Sequence, residues 1–79
     1  METQKILGER LRALRIEKGK KQRELAELLG MTLRNYQRFE HGDIDIPSST
    51  LRLFADYYDV PADYLLGRTD DRKNRRGSA

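Results

Sequence analysis

The chain has 79 residues, no cysteine and a formal net charge of +3. A chain of this length forms one small domain that buries only about 60% of its unfolded surface, so we expect pairing with a second copy to stabilise it. The lack of cysteine excludes disulfides and thiolate metal sites and fits a cytoplasmic protein; no signal peptide is visible, and no apolar run approaches the roughly 18 residues of a membrane span.

Charge is divided unevenly along the chain. Residues 3–38 carry ten Lys or Arg and four acidic residues, whereas residues 39–67 carry one Arg and six acidic residues. This division is either surface charge without a function or the sign of a polarised molecule that presents one basic face to a polyanion. We favour the second interpretation.

Residues 3–18 are predicted to form the first helix. Leu7, Leu11 and Leu14 recur at helical spacing and make its buried stripe. Gly8 lies inside this helix, where glycine lowers helix stability by up to about 1 kcal/mol relative to alanine. A glycine at this position indicates that a neighbouring element packs closely there. Gly19 is expected to end the helix.

Residues 22–42 are predicted to form two short amphipathic helices joined by a tight turn, which is a helix-turn-helix. The first of these helices has an apolar set at helical spacing, namely Leu25, Ala26, Leu28 and Leu29. Gly30 suits the left-handed position that ends a helix. Thr32 suits the N-cap of the next helix, because its hydroxyl accepts a hydrogen bond from a free amide.

The second of these helices has Tyr36 and Phe39 on its inward side and Gly42 at its end. Its outward residues are mostly long and polar, and they are Leu33, Arg34, Asn35, Gln37 and Arg38. Side chains of this kind reach base edges and phosphates in the major groove of DNA.

The predicted DNA contacts divide into base edges and phosphates. Arg34 and Arg38 are the candidates for guanine, Leu33 for a thymine methyl group, and Asn35 for an adenine or a phosphate. The predicted phosphate contacts lie where the two helices begin, at Lys21, Gln22 and Thr32.

Lys21 occupies the expected N-cap of the first helix of this motif. It has no acceptor and places positive charge at the positive end of the helix dipole, both of which are locally unfavourable. Glu24 can still bond the amide of Lys21, which is half of a capping box. Lys21 is therefore either a tolerated surface residue or a phosphate anchor whose local cost is offset by binding.

Residues 43–46 alternate Asp and Ile, and two aspartates would repel phosphates. This loop either approaches DNA through backbone amides or is held away from it. Ile44 and Ile46 are expected to fold back on the core. A fourth helix is predicted to begin at residues 47–49 and to end at Asp59. Its core face is made by Leu51, Phe54, Ala55 and Tyr58.

A fifth helix is predicted to begin at residues 60–61, because proline suits a first helical turn, with Leu65 and Leu66 buried and Gly67 at its end. Leu53 and Tyr57, on a second stripe of the fourth helix, are either partly exposed residues or part of a dimer surface, and Tyr64 is a third dimer candidate.

Residues 68–79 are predicted to be a basic, flexible tail. Arg72, Lys73, Arg75 and Arg76 either contact DNA without reading sequence or belong to a solvated tail or linker.

Residues 7–67 resemble the Cro/CI-type helix-turn-helix family of phage and bacterial repressors, also called the XRE or lambda-repressor-like family. The matching elements are Leu7-Gly8-Glu9-Arg10-Leu11, Leu14-Arg15, Gln22 with Glu24-Leu25-Ala26, Leu29-Gly30-Met31-Thr32, Glu40-His41-Gly42, Thr50-Leu51 with Ala55, and Asp63-Tyr64-Leu65-Leu66-Gly67. The resemblance implies an all-α, compact five-helix domain over residues 1–67. It also implies that Arg15 pairs with Glu40 and fixes the angle of the recognition helix; a phosphate contact by Arg15 is a secondary interpretation.

The function implied is sequence-specific binding of double-stranded DNA by a transcriptional regulator, as a homodimer and most often as a repressor, in the bacterial cytoplasm. The alternative is a protein-interaction module, such as an antitoxin or adaptor, indicated by the acidic second half with its three dimer candidates.

An enzyme is not expected, because His41 is the single histidine and there is no cysteine. Asp43 and Asp45 lack the further oxygen ligands of a cation site, and no metal, cofactor or small-molecule ligand is predicted.

Overall fold

A computed structural model describes residues 2–73, and all the regular structure within them is helical. The five helices are α1 (Glu2–Glu17), α2 (Gln22–Leu28), α3 (Leu33–His41), α4 (Ser48–Tyr58) and α5 (Ala62–Leu65). α3 packs against α1 and α2, while α5 packs against α1 and α4. The predicted five-helix architecture is confirmed. Within residues 2–73, no helix has the length and apolar content needed to cross a bilayer.

The core centres on three aromatic rings from α3 and α4. Tyr36 and Phe54 are fully buried, with ring centroids 6.0 Å apart, and the ring of Phe39 meets that of Phe54 edge-on at 6.1 Å. The leucine stripe of α1 closes over this cluster. Burying each large apolar side chain contributes about 1.5–3 kcal/mol. These contacts fix which side of α3 faces inward, and therefore which side faces solvent.

The ends of α3 follow the predicted capping chemistry. The Thr32 hydroxyl accepts a hydrogen bond from the amide of Asn35 at 3.1 Å, and Gly42 adopts the left-handed conformation at φ 76°. α1 begins and ends one residue earlier than predicted, at Glu2 and Glu17. Helix boundaries shift by a residue easily, because terminal turns fray and lack side-chain partners.

α1 approaches the backbone of α3 closely at Gly8. A Cβ atom built there would lie 2.3 Å from the carbonyl oxygen of Glu40 and 2.8 Å from that of Phe39. Because both obstacles are backbone atoms, no side-chain rotation relieves the clash. The predicted close packing at Gly8 is confirmed, and its neighbour is the last turn of α3.

Two leucines are less buried than predicted. Leu28 is 57% exposed, because the apolar set of α2 spans a wide arc and Leu28 lies at its edge. Leu65 is fully buried, but Leu66 follows the end of a four-residue helix and is only half-buried.

Within residues 68–73, Thr69, Asp70 and Arg72 contact α1, whereas a flexible tail was predicted from residue 68. Arg10 of α1 holds this segment: Nη1 donates to the carbonyl oxygens of Tyr64 at 2.6 Å and Thr69 at 2.7 Å, and Nη2 donates to Asp70 at 2.7 Å. Arg72 then pairs with Glu17 at 2.8 Å. Composition alone did not indicate these contacts, because the partners lie more than 50 residues away in the chain. Arg75 and Arg76 lie outside the described residues.

Candidate nucleic-acid interface

The outward face of α3 presents two arginines that are free to bind. Arg34 and Arg38 lie four residues apart, on the side opposite Tyr36 and Phe39, and both are exposed. Within residues 2–73, neither guanidinium is engaged in a hydrogen bond or ion pair. Leu33 is half-buried and Asn35 is exposed on either flank. A short helix with two unengaged cations on one face suits contact with phosphates or with guanine edges.

Behind this face, the carboxylate of Glu40 joins three helices. The side chain is only 1% exposed and accepts from Arg15 of α1, with Nε to Oε2 at 2.7 Å and Nη2 to Oε1 at 3.4 Å. The hydroxyl of Tyr36 donates to Oε2, and Gln22 Nε2 of α2 donates to Oε1 at 3.0 Å. These bonds fill all four lone-pair sites of a carboxylate. α3 is thus locked to both of its neighbouring helices at one point.

The charge state of Glu40 follows from these contacts. Burial by itself raises the pKa of Glu40, but hydrogen bonds from Arg15, Tyr36 and Gln22 outweigh it and hold the pKa below its usual value. Burial and the bond to Glu40 raise the pKa of Tyr36, so its hydroxyl remains a donor at neutral pH. The network therefore contains a buried anion that is surrounded by donors.

Arg15 has a structural role, and the structure does not favour a phosphate contact for it. Besides its bonds to Glu40, its Nη1 donates to the carbonyl oxygen of Lys20 at 2.9 Å. Only 13% of the side chain is exposed. All three of its nitrogens thus have acceptors within the protein, and the phosphate contact of Arg15 stays a secondary prediction.

The start of α2 combines an exposed lysine with a half-buried side-chain amide. Lys21 is exposed, and its backbone N–H donates to Glu24 at 2.8 Å, which is the predicted half of a capping box. Gln22 is half-buried: it donates to Glu40, and its Oε1 accepts from Gln37 at 3.1 Å. We predicted Gln22 as a phosphate contact and missed both internal bonds, because they join α2 to α3 and leave no periodic signal in the sequence.

The loop between α3 and α4 is tied to the beginning of α1. Gln4 Nε2 donates to the carboxylate of Asp45, and a Cβ at Gly42 would lie 3.0 Å from the carbonyl oxygen of Gln4. Ile44 and Ile46 pack against the core, as predicted. Asp45 is therefore engaged within the chain, and Asp43 lies 4.0 Å from Nδ1 of His41.

The three residues predicted to lie in a dimer surface differ in how exposed their side chains are. Leu53 is 46% exposed, but Tyr57 lies under Lys18, whose Nζ is 4.9 Å from the ring centroid, and Tyr64 lies under Arg10 at 4.2 Å. Both tyrosines are thus partly covered by cations, Tyr64 by one in α1 and Tyr57 by one in the turn that follows α1. Ile16 is 55% exposed and Leu28 is 57% exposed, and neither was predicted to lie in a dimer surface.

Comparison with known proteins agrees with this geometry. Residues 6–66 match the family model described as "Helix-turn-helix domain". The chain belongs to the helix-turn-helix family. The match covers all of α2, α3 and α4, and it agrees with the Cro/CI-type resemblance and the all-α fold.

Three curated relatives come from Bacillus subtilis strain 168. The chain is 36% identical over 67 residues to the HTH-type transcriptional regulator ImmR, covering 85% of this chain and 53% of ImmR. It is 34% identical over 64 residues to the SPbeta prophage-derived uncharacterized HTH-type transcriptional regulator YonR, covering 81% and 59%. It is 38% identical over 63 residues to the uncharacterized HTH-type transcriptional regulator YobD, covering 80% and 56%. This helix-turn-helix chain thus spans little more than half the length of these relatives. No solved structure matches it significantly.

Proposed function

We propose that this helix-turn-helix protein is a transcriptional regulator that binds double-stranded DNA in a sequence-specific manner, with α3 in the major groove. The observation that carries the proposal is the unengaged pair Arg34 and Arg38 on a helix that the Glu40 network holds rigidly. A preorganised helix loses little entropy on binding, so its arginines contribute more of their energy to recognition.

The proposed DNA contacts are of two classes, contacts with base edges and contacts with phosphates. Arg34 and Arg38 read guanine, while Leu33 and Asn35 flank them at the base edges. Lys21, Gln22 and Thr32 contact phosphates and set the register; Gln22 has only one N–H left for this purpose. Phosphate contacts supply affinity for any duplex, whereas base contacts distinguish one sequence from another.

The proposed biological role is repression of phage, prophage or other bacterial genes by a homodimer. Its support is the printed names of the relatives, all HTH-type transcriptional regulators and one of them prophage-derived. Two copies would occupy half-sites one helical turn apart, at about 34–36 Å. Leu53 is the exposed apolar residue of α4 available for pairing.

Arg34→Ala tests base reading. We expect the variant to bind the preferred site about 1–3 kcal/mol more weakly, with much less loss on random DNA, because a bidentate guanine contact is removed. Fluorescence anisotropy on a site selected from a random DNA pool measures both losses. Arg52→Ala removes an equal charge from an exposed position of α4 and is the matched control. An equal loss on both DNAs would remove Arg34 from the base-reading set.

Lys21→Ala tests the phosphate contact. We expect affinity to fall to a similar extent on every sequence, because phosphates carry no base information. The slope of log affinity against log salt should become shallower by roughly one unit. Titrations of the selected site at several salt concentrations measure the slope, and an unchanged slope would show that Lys21 is only a surface residue.

The rival function is binding of a protein partner through the second half of the chain. Exposed Leu53 favours it. If the wild-type protein binds no duplex DNA even at low salt, where phosphate contacts are strongest, this rival replaces the proposal.

A further inference from the structure

One outward side chain of α3 is linked to the buried Glu40 carboxylate through a second amide. Gln37 Nε2 donates to Gln22 Oε1 at 3.1 Å, and Gln22 Nε2 donates to Glu40 Oε1 at 3.0 Å. Gln37 is half-buried and lies one turn beyond Leu33, beside both arginines of the outward face. The relay Glu40–Gln22–Gln37 thus runs from the core to the candidate DNA surface.

The charge of Glu40 sets the direction of this relay. An ionised carboxylate only accepts hydrogen bonds, so Gln22 must turn its NH₂ group towards Glu40 and its oxygen towards Gln37. Gln37 must then turn its own NH₂ group towards Gln22. A free glutamine amide has two nearly equivalent orientations, whereas the buried anion leaves each of these amides only one.

This orientation determines what Gln37 offers to solvent. Among residues 2–73, its carbonyl oxygen accepts no hydrogen bond, and its second N–H has no acceptor. An acceptor next to a donor matches the N6 amino group and N7 atom that adenine presents in the major groove. Cytosine, in contrast, offers only a donor there, and guanine offers two acceptors.

We propose that Gln37 reads an adenine, and that Glu40, acting through Gln22, fixes the orientation of the Gln37 amide for that contact. This proposal rests on the proposed function, since it requires α3 in the major groove. Gln37 contacts the base, while Gln22 and Glu40 are positioning residues.

Selection from a random DNA pool with the wild-type protein, Gln37→Leu, Gln37→Glu and Gln22→Leu tests the proposal. Gln37→Leu should lose an adenine preference of about 5- to 150-fold at one base pair of each half-site and keep the others. Gln37→Glu, which only accepts, should exchange adenine for cytosine at that base pair. Gln22→Leu should weaken the same preference without abolishing it, in addition to a general loss of affinity.

The outcomes separate the two proposals. If the wild-type protein enriches no sequence, the proposed function fails. If it enriches a site and Gln37→Leu selects the same bases at every position, base reading by Gln37 is overturned. If Gln37→Leu loses the adenine but Gln22→Leu keeps the full preference, the positioning role of Glu40 and Gln22 is overturned. Arg34→Ala is the matched control and should alter a different base pair; circular dichroism establishes that each variant is folded.

Discussion

Glu40→Ala is expected to destabilise the domain by about 3–5 kcal/mol, because removing one partner of a buried ion pair leaves the other charge uncompensated. Arg15, only 13% exposed, would lose its carboxylate, and the donors of Tyr36 and Gln22 would lose their acceptor. Small domains have a total stability of about 0.05–0.15 kcal/mol per residue, so much of it would be lost. Urea denaturation followed by circular dichroism measures the change.

The exposed pair between Arg72 and Glu17 is the matched control. Their side chains are 47% and 54% exposed, so Glu17→Ala should cost at most about 1 kcal/mol. If Glu40→Ala costs no more than Glu17→Ala, the Glu40 network does not hold α3.

The same network should appear in the pH dependence of stability. The pKa of Glu40 in the folded protein lies below its ordinary value of 4.5. Its contribution is therefore complete above about pH 4.5 and is lost as the pH falls through the lower pKa of the folded state. Thermal melts between pH 7 and pH 3 should show a smaller acid-induced drop in Glu40→Gln than in the wild-type protein, because glutamine does not titrate.

Gly8→Ala is expected to lower stability by about 1–3 kcal/mol, although alanine is the better helix former. The added Cβ would lie 2.3 Å from the carbonyl oxygen of Glu40, so α1 and α3 would have to move apart. Overpacking of this kind outweighs the gain of up to about 1 kcal/mol in helix propensity. Thermal and urea denaturation measure the net effect.

Ala13→Gly, on the exposed side of the same helix, measures propensity without the clash. It should cost about 1 kcal/mol. A Gly8→Ala variant that is more stable than the wild-type protein would show that propensity dominates and that α1 and α3 can separate at little cost.

The fold was predictable from the sequence because its elements are encoded locally. The leucine stripe of α1, the Thr32 cap and the glycines that end helices act within one or two turns, and each is found where the spacing placed it. Leu28 was misplaced because a seven-residue helix gives too few positions to separate the centre of an apolar face from its edge.

The candidate interface was predictable only in part. Arg34 and Arg38 follow from the inward positions of Tyr36 and Phe39, since residues on one helix constrain each other. The bonds of Gln22 to Glu40 and Gln37 join different helices, 18 and 15 residues apart, and depend on how α2 and α3 pack. The resemblance to Cro/CI-type proteins suggested the pair Arg15–Glu40, but the residues alone did not suggest the amides attached to it.

The segment held by Arg10 changes where a minimal version of this domain should stop. A cut after Gly67, the last residue of the recognisable motif, would discard Thr69 and Asp70, two of the groups that Arg10 binds. It would also discard Arg72, which lies 5.8 Å from the centre of the Tyr64 ring. A shortened protein that is meant to keep α1 and α5 in their native positions should therefore extend to residue 73.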